Sequence, residues 1–523
     1  MAATTIEEML AQDFGTLPDI VRLRAAAGPG RTALVVEAET LSWAGLDRLM
    51  DRIAAALQRD GLQPGDRIAI AATTSIAYAA TFLGALRAGV VVAPLAPSST
   101  PEQLAGMIAD SGAKLLFLDR NVADALTGVI GRVQPPRVAL DDSAHAGAAV
   151  SAWLAPEDAR PAEVEIGPDH PFNIIYSSGT TGAPKGIVQA HAMRWRYMLR
   201  PGPRVGEGPD AVALLSTPLY SNTTLATFLP VIAGGGTAVM MPKFDPLRFL
   251  ELSERHRVTH AMLVPVQYRR ILEHPEFDRF DLSSYRMKFC TSAPFAAELK
   301  AEVLRRWPGG LVEYFGMTEG GGTCILMAHE HPDKLHTVGQ PAPGHDIRVI
   351  GEDGRPLPPG EVGEIVGWSP AAMLGYHNQP AKTAEALWID PETGRRFVRT
   401  GDVGRFDAEG FLTLMDRKKD MIISGGFNIY PSDLEAVIVQ HSAVAEAAVV
   451  GAQSRRWGET PVAFVALKPG ATATADELRA FANDRLGKTQ RLADLVIVDQ
   501  LPRSHIGKVL KRELRDAYGP ARD

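Results

Sequence analysis

Cysteine is nearly absent from this chain: Cys290 and Cys324 are the two thiols in 523 residues. Neither stands in a Cys-x-x-Cys pair or beside a histidine cluster, so no disulfide framework or zinc spacing can be read, and a reducing compartment is expected. Long apolar runs are lacking as well. The best stretch, through Ile76 and Ala88, is broken by Arg87, which excludes a membrane-spanning helix of about 20 apolar residues. The opening MAATTIEEMLAQDFG does not show the basic-then-apolar order of a secretory leader, so a cytoplasmic protein is expected. Charge of one sign is nowhere concentrated. The formal net charge is -7 without long like-charge runs, which argues against a nucleic-acid partner and makes any basic site a local one. Internal repeats and low-complexity tracts are missing too.

What is present is the composition of an ordinary globular protein, 46% hydrophobic and 22% charged, in a chain long enough for two or more domains. Apolar, β-branched-rich runs alternate with helical patterns over roughly the first 320 residues. Strands are expected at Arg67–Ala72, Val90–Leu95, Lys114–Asp119, Phe172–Ser177, Ala211–Ser216, Thr237–Pro242, His260–Pro265, Met287–Thr291 and Leu311–Phe315. Helices are expected at Ile76–Ala88 and at Pro101–Asp110, where Thr100 at the N-cap, Pro101 and Gln103 make a capping box. Such alternation predicts largely parallel sheets covered by helices. Past Gly339 a Gly/Pro-rich stretch and the short strands Glu364–Trp368 and Phe411–Met415 suggest a smaller β-rich subdomain. After the charged Asp416–Asp420 the chain restarts as an α+β unit, with a second capping box at Thr474 and Glu477. A domain boundary is expected near Arg417, giving domains 1–416 and 417–523.

The densest chemistry lies in Ser177-Ser178-Gly179-Thr180-Thr181-Gly182-Ala183-Pro184-Lys185-Gly186, directly after an apolar strand. Glycines let backbone approach an anion, hydroxyls and amides donate to phosphate oxygens, and lysine adds positive charge. A Walker A loop is excluded, because the glycine spacing and the Gly-Lys-Ser/Thr ending are wrong. Pro184 biases Ala183 away from the α region, which predicts a cover over the phosphates and not a cradle on a helix N-terminus. Taken alone, the run also reads as a solvated loop. Three further segments have similarly plain alternatives. Tyr314-Phe315-Gly316-Met317-Thr318-Glu319 could be a helix cap, Arg399-Thr400-Gly401-Asp402 a solvated turn, and the segment carrying Lys508 a basic tail helix.

In this order and spacing, with the block Asp416-Arg417-Lys418-Lys419-Asp420 through Tyr430-Pro431, these motifs are jointly very specific. The chain resembles the adenylate-forming superfamily of acyl-CoA synthetases, aryl-CoA ligases, firefly luciferase and nonribosomal-peptide adenylation domains, over residues 25 to 515 or so. The resemblance implies an α/β fold: a large N-terminal domain of two helix-covered, mainly parallel sheets with a small β-rich subdomain, then a small mobile α+β C-terminal domain. It implies an AMP-forming carboxylic acid:CoA ligase, in which acid and ATP give acyl-adenylate and pyrophosphate, and coenzyme A then displaces AMP.

By the same resemblance, Ser177, Ser178, Gly179, Thr180, Thr181, Gly182 and Lys185 would hold the β- and γ-phosphates. Thr318 would meet the α-phosphate, and Glu319 would position Mg²⁺, a hard cation suited to carboxylate and phosphate oxygens. Ser292, Ala293 and Pro294 with Tyr314, Phe315 and Gly316 would line the adenine slot; Asp402, helped by Arg417, would bind the ribose. Lys508 would bridge the substrate carboxylate and the α-phosphate, where two anions meet and negative charge builds. Lys419 would be the hinge of the C-terminal domain, Gly425 and Gly426 would admit pantetheine, and Trp457 would pack beside the CoA nucleotide, with Arg455 or Arg456 near its phosphates. The acyl pocket is expected at Trp195, Tyr220, Asn222, Thr223, Val266, Gly320, Gly321 and Gly322, the three glycines leaving room for a chain or ring.

Two departures stand out. Where many relatives carry a histidine after the aromatic of the Pro-Leu-Tyr segment, Tyr220 is followed by Ser221 and Asn222; and Lys488-Thr489-Gln490-Arg491 replaces the usual Tyr-Lys-x-Pro. The pocket gate and the CoA contacts are expected to differ accordingly. His191 reads as structural, since a carboxylate substrate is already ionised at neutral pH and needs no base. The partners implied are a medium-to-long aliphatic or an aryl/alicyclic acid, ATP and coenzyme A; a homodimer is allowed. The competing readings are a stand-alone adenylation enzyme loading a carrier-protein thiol in trans, a luciferase-like oxygenase, and a nucleotide-binding regulator without catalysis.

Overall fold

The computed structural model describes residues 5–177, 185–199, 206, 208–417, 420–424, 427–487, 490–503 and 509–521. Its contacts divide the chain into two units: residues 1–335, 342–346 and 368–398 in the larger, and 336–341, 347–367 and 399–523 in the smaller.

The larger unit contains two sheets of the expected kind. One runs in the order Thr323–Met327, Gly310–Gly316, Met287–Cys290, His260–Leu263, Val212–Leu215, Thr237–Met240, Thr32–Val36, Glu39–Ser42. Its neighbours are parallel from Gly310–Gly316 through to Thr32–Val36 and antiparallel at the two ends of this series. The other runs Gly375–Tyr376, Lys185–Ala190, Pro171–Ser177, Val91–Pro94, Arg67–Ala71, Leu115–Leu118, Arg137–Ala139, Ala148–Ala149. Here too the apolar strands pair in parallel, and only the two nearest Lys185 turn antiparallel.

One apolar core draws on both sheets, through Leu34 and Met240 of the first and Ile68, Val92 and Phe117 of the second, and on the helices Leu17–Ala27, Trp43–Arg59, Ile76–Arg87 and Asn222–Gly234. Ile76–Arg87 is buried along nearly its whole length, as a helix apolar on every side must be. It starts at Ser75, whose hydroxyl accepts the Tyr78 N–H at 3.1 Å. It ends at Arg87, which is buried yet paired with Asp47 at 2.6 Å and Asp51 at 2.7 Å. The residue that interrupts the apolar run is thus an internal ion pair. The expected capping box of Pro101–Ser111 is present in both directions, and Gly112 closes that helix at φ 62°.

Asp346–Ile350, Gly363–Trp368, Arg396–Phe406 and Leu412–Arg417, most of whose residues belong to the smaller unit, form one sheet in that order. A second sheet joins Phe427–Ile429, Ile422–Ser424, Gly458–Leu467 and Val444–Ser454, with Asp494–Ile497 parallel to Gly458–Leu467. Period-two alternation sends Val449, Ala463 and Val465 to a core shared with Pro431–Ile438 and Ala475–Asn483. It sends Ala448, Val450, Val462 and Phe464 to a core shared with Lys511–Tyr518. Among the described residues no helix is long and apolar enough to cross a membrane. Cys290 and Cys324 are buried and free.

Candidate active site

In an open parallel sheet the loops after the strands converge at the carboxyl edge, where ligands bind. Four neighbouring parallel strands of the first sheet end in expected site residues. Val212–Leu215 leads to Tyr220 and Asn222, His260–Leu263 to Val266, Met287–Cys290 to Ser292, Ala293 and Pro294, and Gly310–Gly316 to Thr318 and Glu319. Residues up to about 100 positions apart thus meet along one edge.

Local contacts fix this edge. Thr291 donates its hydroxyl to the Tyr314 carbonyl at 2.9 Å, which ties the two strands flanking the expected adenine slot. Tyr314 is buried and stacks on Phe289, ring centroids 5.6 Å apart. Ser292 takes φ 80°, an unfavourable region for a residue with a Cβ, and its Oγ lies 2.6 Å from Thr223 Oγ1. Strain of this kind persists where the surroundings over-determine it, commonly at ligand sites. Tyr220 is half-buried beside Ser98, and burial raises its phenol above the ordinary value.

The three glycines have a stricter cause than pocket room. Gly320, Gly321 and Gly322 all have positive φ, 76°, 82° and 138°, and a Cβ on Gly320 would run into the Ala371 carbonyl. Positive φ and the closeness of the Ala371 carbonyl together demand glycine at 320. Trp195 is not brought to this edge. It is 2% exposed, donates its indole N–H to the Gln12 carbonyl at 3.2 Å, and packs on Phe14. Neighbouring positions on a helix lie about 100° apart, so Trp195 turns to the N-terminal segment while Arg194 turns to Asn222.

Lys185 sits at the head of the strand Lys185–Ala190, paired in register with Ser177, and is therefore a strand residue. Its Nζ lies 5.1 Å from the Tyr376 ring centroid, a cation–π distance. Tyr376 in turn donates its hydroxyl to Glu319 Oε1 at 2.9 Å. Burial first, then the Glu319 charge, pushes the Tyr376 pKa up and keeps the phenol protonated. One tyrosine thus links the two groups expected to handle phosphate and cation. The Met373 N–H closes on the Glu319 carbonyl at 2.8 Å.

Beneath the Thr318 turn lies a buried polar cluster. Gln189 Nε2 donates to the Thr318 carbonyl at 2.6 Å. Gln189 Oε1 accepts Asn173 Nδ2 at 3.0 Å and also an N–H of Arg194. Arg194 donates from Nε to Asn173 Oδ1 at 3.1 Å and from a terminal nitrogen to Asn222 Oδ1 at 3.0 Å. Burial draws its pKa down to about 10. His191 packs edge-on to Phe172 at 4.9 Å, and burial, then His170, pulls it down to about 3. A histidine held neutral in this way has a packing role. Gln189, Arg194, Asn173 and Tyr376 were not expected from the sequence as site residues, although a lone polar residue inside Ile187-Val188-Gln189-Ala190 or Phe172-Asn173-Ile174-Ile175 is a signal that could have marked two of them.

In the smaller unit Asp402 and Arg417 are register partners, with Nε 2.7 Å from Oδ1. Trp457 is 48% exposed at the turn between Val444–Ser454 and Gly458–Leu467, with the Arg456 guanidinium 4.8 Å over its ring. The expected residues Ser178, Gly179, Thr180, Thr181, Gly182, Lys419, Gly425, Gly426 and Lys508 lie outside the described residues. Among the described residues no group of three or more His, Cys, Asp or Glu is gathered to hold a metal.

Comparison with known proteins meets this geometry. Residues 21–377 match the family described as AMP-binding enzyme, and residues 433–508 match the AMP-binding enzyme C-terminal domain. A feruloyl-CoA synthase from Amycolatopsis sp. is 34% identical over 520 residues, covering 98% of this chain and 100% of that protein. The fatty acid–[acyl-carrier-protein] ligase ScoC of Streptomyces coeruleorubidus is 33% identical over 515 residues, covering 96% of each. The crystal structure of ATP-bound MatB from Rhodopseudomonas palustris superposes with a TM-score of 0.86 at 29% identity, over 96% of this chain and 99% of that one. The chain belongs to the AMP-binding enzyme family, among its AMP-forming acyl- and aryl-CoA ligases.

Proposed function

We propose that this protein activates a medium-to-long aliphatic or an aryl/alicyclic carboxylic acid with ATP and transfers it to coenzyme A. The observation that carries the reading is the edge of four adjacent parallel strands bearing Tyr220 and Asn222, Val266, Ser292, and Thr318 with Glu319. An acid, an adenine and a triphosphate need such neighbouring positions.

A carboxylate oxygen of the acid attacks the α-phosphorus of ATP. The new O–P bond replaces the bond to the β-phosphate, and pyrophosphate leaves. The thiol sulfur of coenzyme A then attacks the acyl carbon, its proton passes to solvent, and AMP departs. In the first step Lys185 meets the β- and γ-phosphates, Thr318 the α-phosphate, and Lys508 the point where the two anions join. Ser292, Ala293, Pro294, Tyr314, Phe315 and Gly316 receive the adenine, and Asp402, oriented by Arg417, the ribose. Lys419 is the hinge of residues 417–523, Gly425 and Gly426 admit the pantetheine arm with its thiol, and Trp457 packs beside the CoA nucleotide.

The residues fit Mg²⁺. Glu319 spends Oε1 on Tyr376, and a single carboxylate shared with substrate phosphates is the usual holding for this ion. When bound, Mg²⁺ would neutralise charge on the phosphate oxygens. Coenzyme A is favoured over a carrier-protein thiol by the exposed Trp457 under Arg456, an aromatic face open to a nucleotide.

The test is a panel of carboxylic acids scored for AMP release with coenzyme A, with a holo carrier protein, and with neither. Release restricted to the carrier arm, or to no acid of these classes, overturns the reading. Lys508→Ala should lower acid-dependent ATP–pyrophosphate exchange by about 10²–10³-fold while thioester formation from supplied adenylate persists. Equal loss of both would remove the role given to Lys508.

A further inference from the structure

Arg194 is 2% exposed, and among the described residues no carboxylate pairs with it. Its partners are three amide oxygens, of Asn173, Gln189 and Asn222. A guanidinium can only donate. Each amide must therefore turn its oxygen towards Arg194 and its nitrogen away. Asn173 Nδ2 then donates to the same Gln189 oxygen at 3.0 Å. With its oxygen engaged from two sides, Gln189 has only N–H to offer the Thr318 carbonyl, which it meets at 2.6 Å. Asn222, its oxygen likewise engaged at 3.0 Å, has only donors left for the half-buried space at the start of the helix Asn222–Gly234.

We infer that Arg194 is a positioning residue for adenylation: by orienting Gln189 and Asn222 it fixes the Thr318–Glu319 turn and presents N–H groups on the acid side of the site. Burying a cation without a carboxylate is a poor way to gain stability, and hydrophobic residues would fill the same volume at lower cost. The charge gains a use if anions bind nearby. The inference rests on the proposed reading of this edge as an acid-adenylating site, where a triphosphate and a carboxylate meet one amide away from the guanidinium.

Gln189→Glu separates positioning from mere packing. The carboxylate can take the N–H groups of Arg194 and Asn173 in place of the amide oxygen, and it gives the buried cation a counter-charge. It has no N–H for the Thr318 carbonyl. The thermal midpoint should hold or rise, amide hydrogen exchange over residues 317–320 should quicken, and kcat for acid-dependent ATP–pyrophosphate exchange should fall about tenfold to a hundredfold with little change in KM for ATP. An unaltered turn or an unaltered kcat overturns the inference. Arg194→Lys should recover part of the rate lost in Arg194→Met, and equal rates in the two variants also overturn it. If the wild-type chain turns over no acid, the ligase reading fails, while hydrogen exchange at residues 317–320 still decides whether Gln189 holds the turn.

Discussion

Two buried arginines of the larger unit make opposite use of the same charge. Arg87, at the end of a core helix, meets Asp47 at 2.6 Å and Asp51 at 2.7 Å. Arg194, below the strand-end edge, has only amide oxygens as its hydrogen-bond acceptors among the described residues. A guanidinium between carboxylates has its charge compensated on the spot, so Arg87 serves the fold. A guanidinium among amides leaves its field uncompensated inside a low-dielectric region, where such a field acts strongly. Burial accordingly lowers the Arg194 pKa to about 10, still protonated at neutral pH. Burial alone does not mark a functional cation; the chemistry of its partners does.

The comparison breaks most visibly at Arg87. Arg87→Met strands Asp47 and leaves Asp51 with Arg22, at 3.1 Å and half-exposed. Breaking a buried pair from one side costs about 3–5 kcal/mol, read as a lower midpoint in denaturant. The adenylation rate per folded molecule should not change, since Arg87 touches no residue of the strand-end edge. A comparable rate loss at full folding would show that the two arginines are not separable.

Giving Arg194 the kind of partner Arg87 has is the next-largest test. Asn222→Asp places a carboxylate where an amide oxygen stood 3.0 Å from the guanidinium. Stability should rise by up to about 1 kcal/mol, because one end of the new pair is only half-buried. The N–H donors vanish and a like charge faces the substrate carboxylate, so KM for the acid should rise about tenfold, with kcat less affected. Gln189→Glu is expected to lower kcat instead, so the two variants divide the outputs of one cation. An unchanged KM would remove Asn222 from the acid side.

Much of this was legible in the sequence, for a local reason. Parallel strands such as Arg67–Ala71 and Met287–Cys290 are short apolar runs ended by turns, and the boxes at Thr100/Gln103 and Thr474/Glu477 are read three residues at a time. Edge strands were less legible. Glu39–Ser42 is polar and exposed at its start, so it carries no alternation to detect. The site's supporting contacts were illegible because they are distant in sequence. Gln189 and Thr318 are 129 residues apart, and Tyr376 and Glu319 are 57 apart, and periodicity does not report such pairings. The glycines after Glu319 were visible, but not their cause, which lies in φ and in the Ala371 carbonyl.

The smallest effect concerns the packing that supports Arg194. Its guanidinium lies 5.8 Å from the Phe172 ring centroid, and His191 packs on the edge of the same ring at 4.9 Å. Burial, then His170, holds His191 down to about 3, against 6.5 for a free histidine. Between those values the unfolded chain binds the proton and the folded one does not, so stability is present above about pH 6.5 and is lost as pH falls towards 3. One such group contributes a slope of at most about 1.4 kcal/mol per pH unit. His191→Phe removes the titrating group while keeping an aromatic ring against Phe172, so the acid side of the stability profile should flatten while the neutral-pH midpoint changes little. Arg87 and its carboxylates do not include His191, so Arg87→Met should leave the histidine's share of the slope in place. If His191→Phe left the acid slope as steep as in the wild type, the neutral, packed histidine beside the uncompensated cation would be the wrong description of that region.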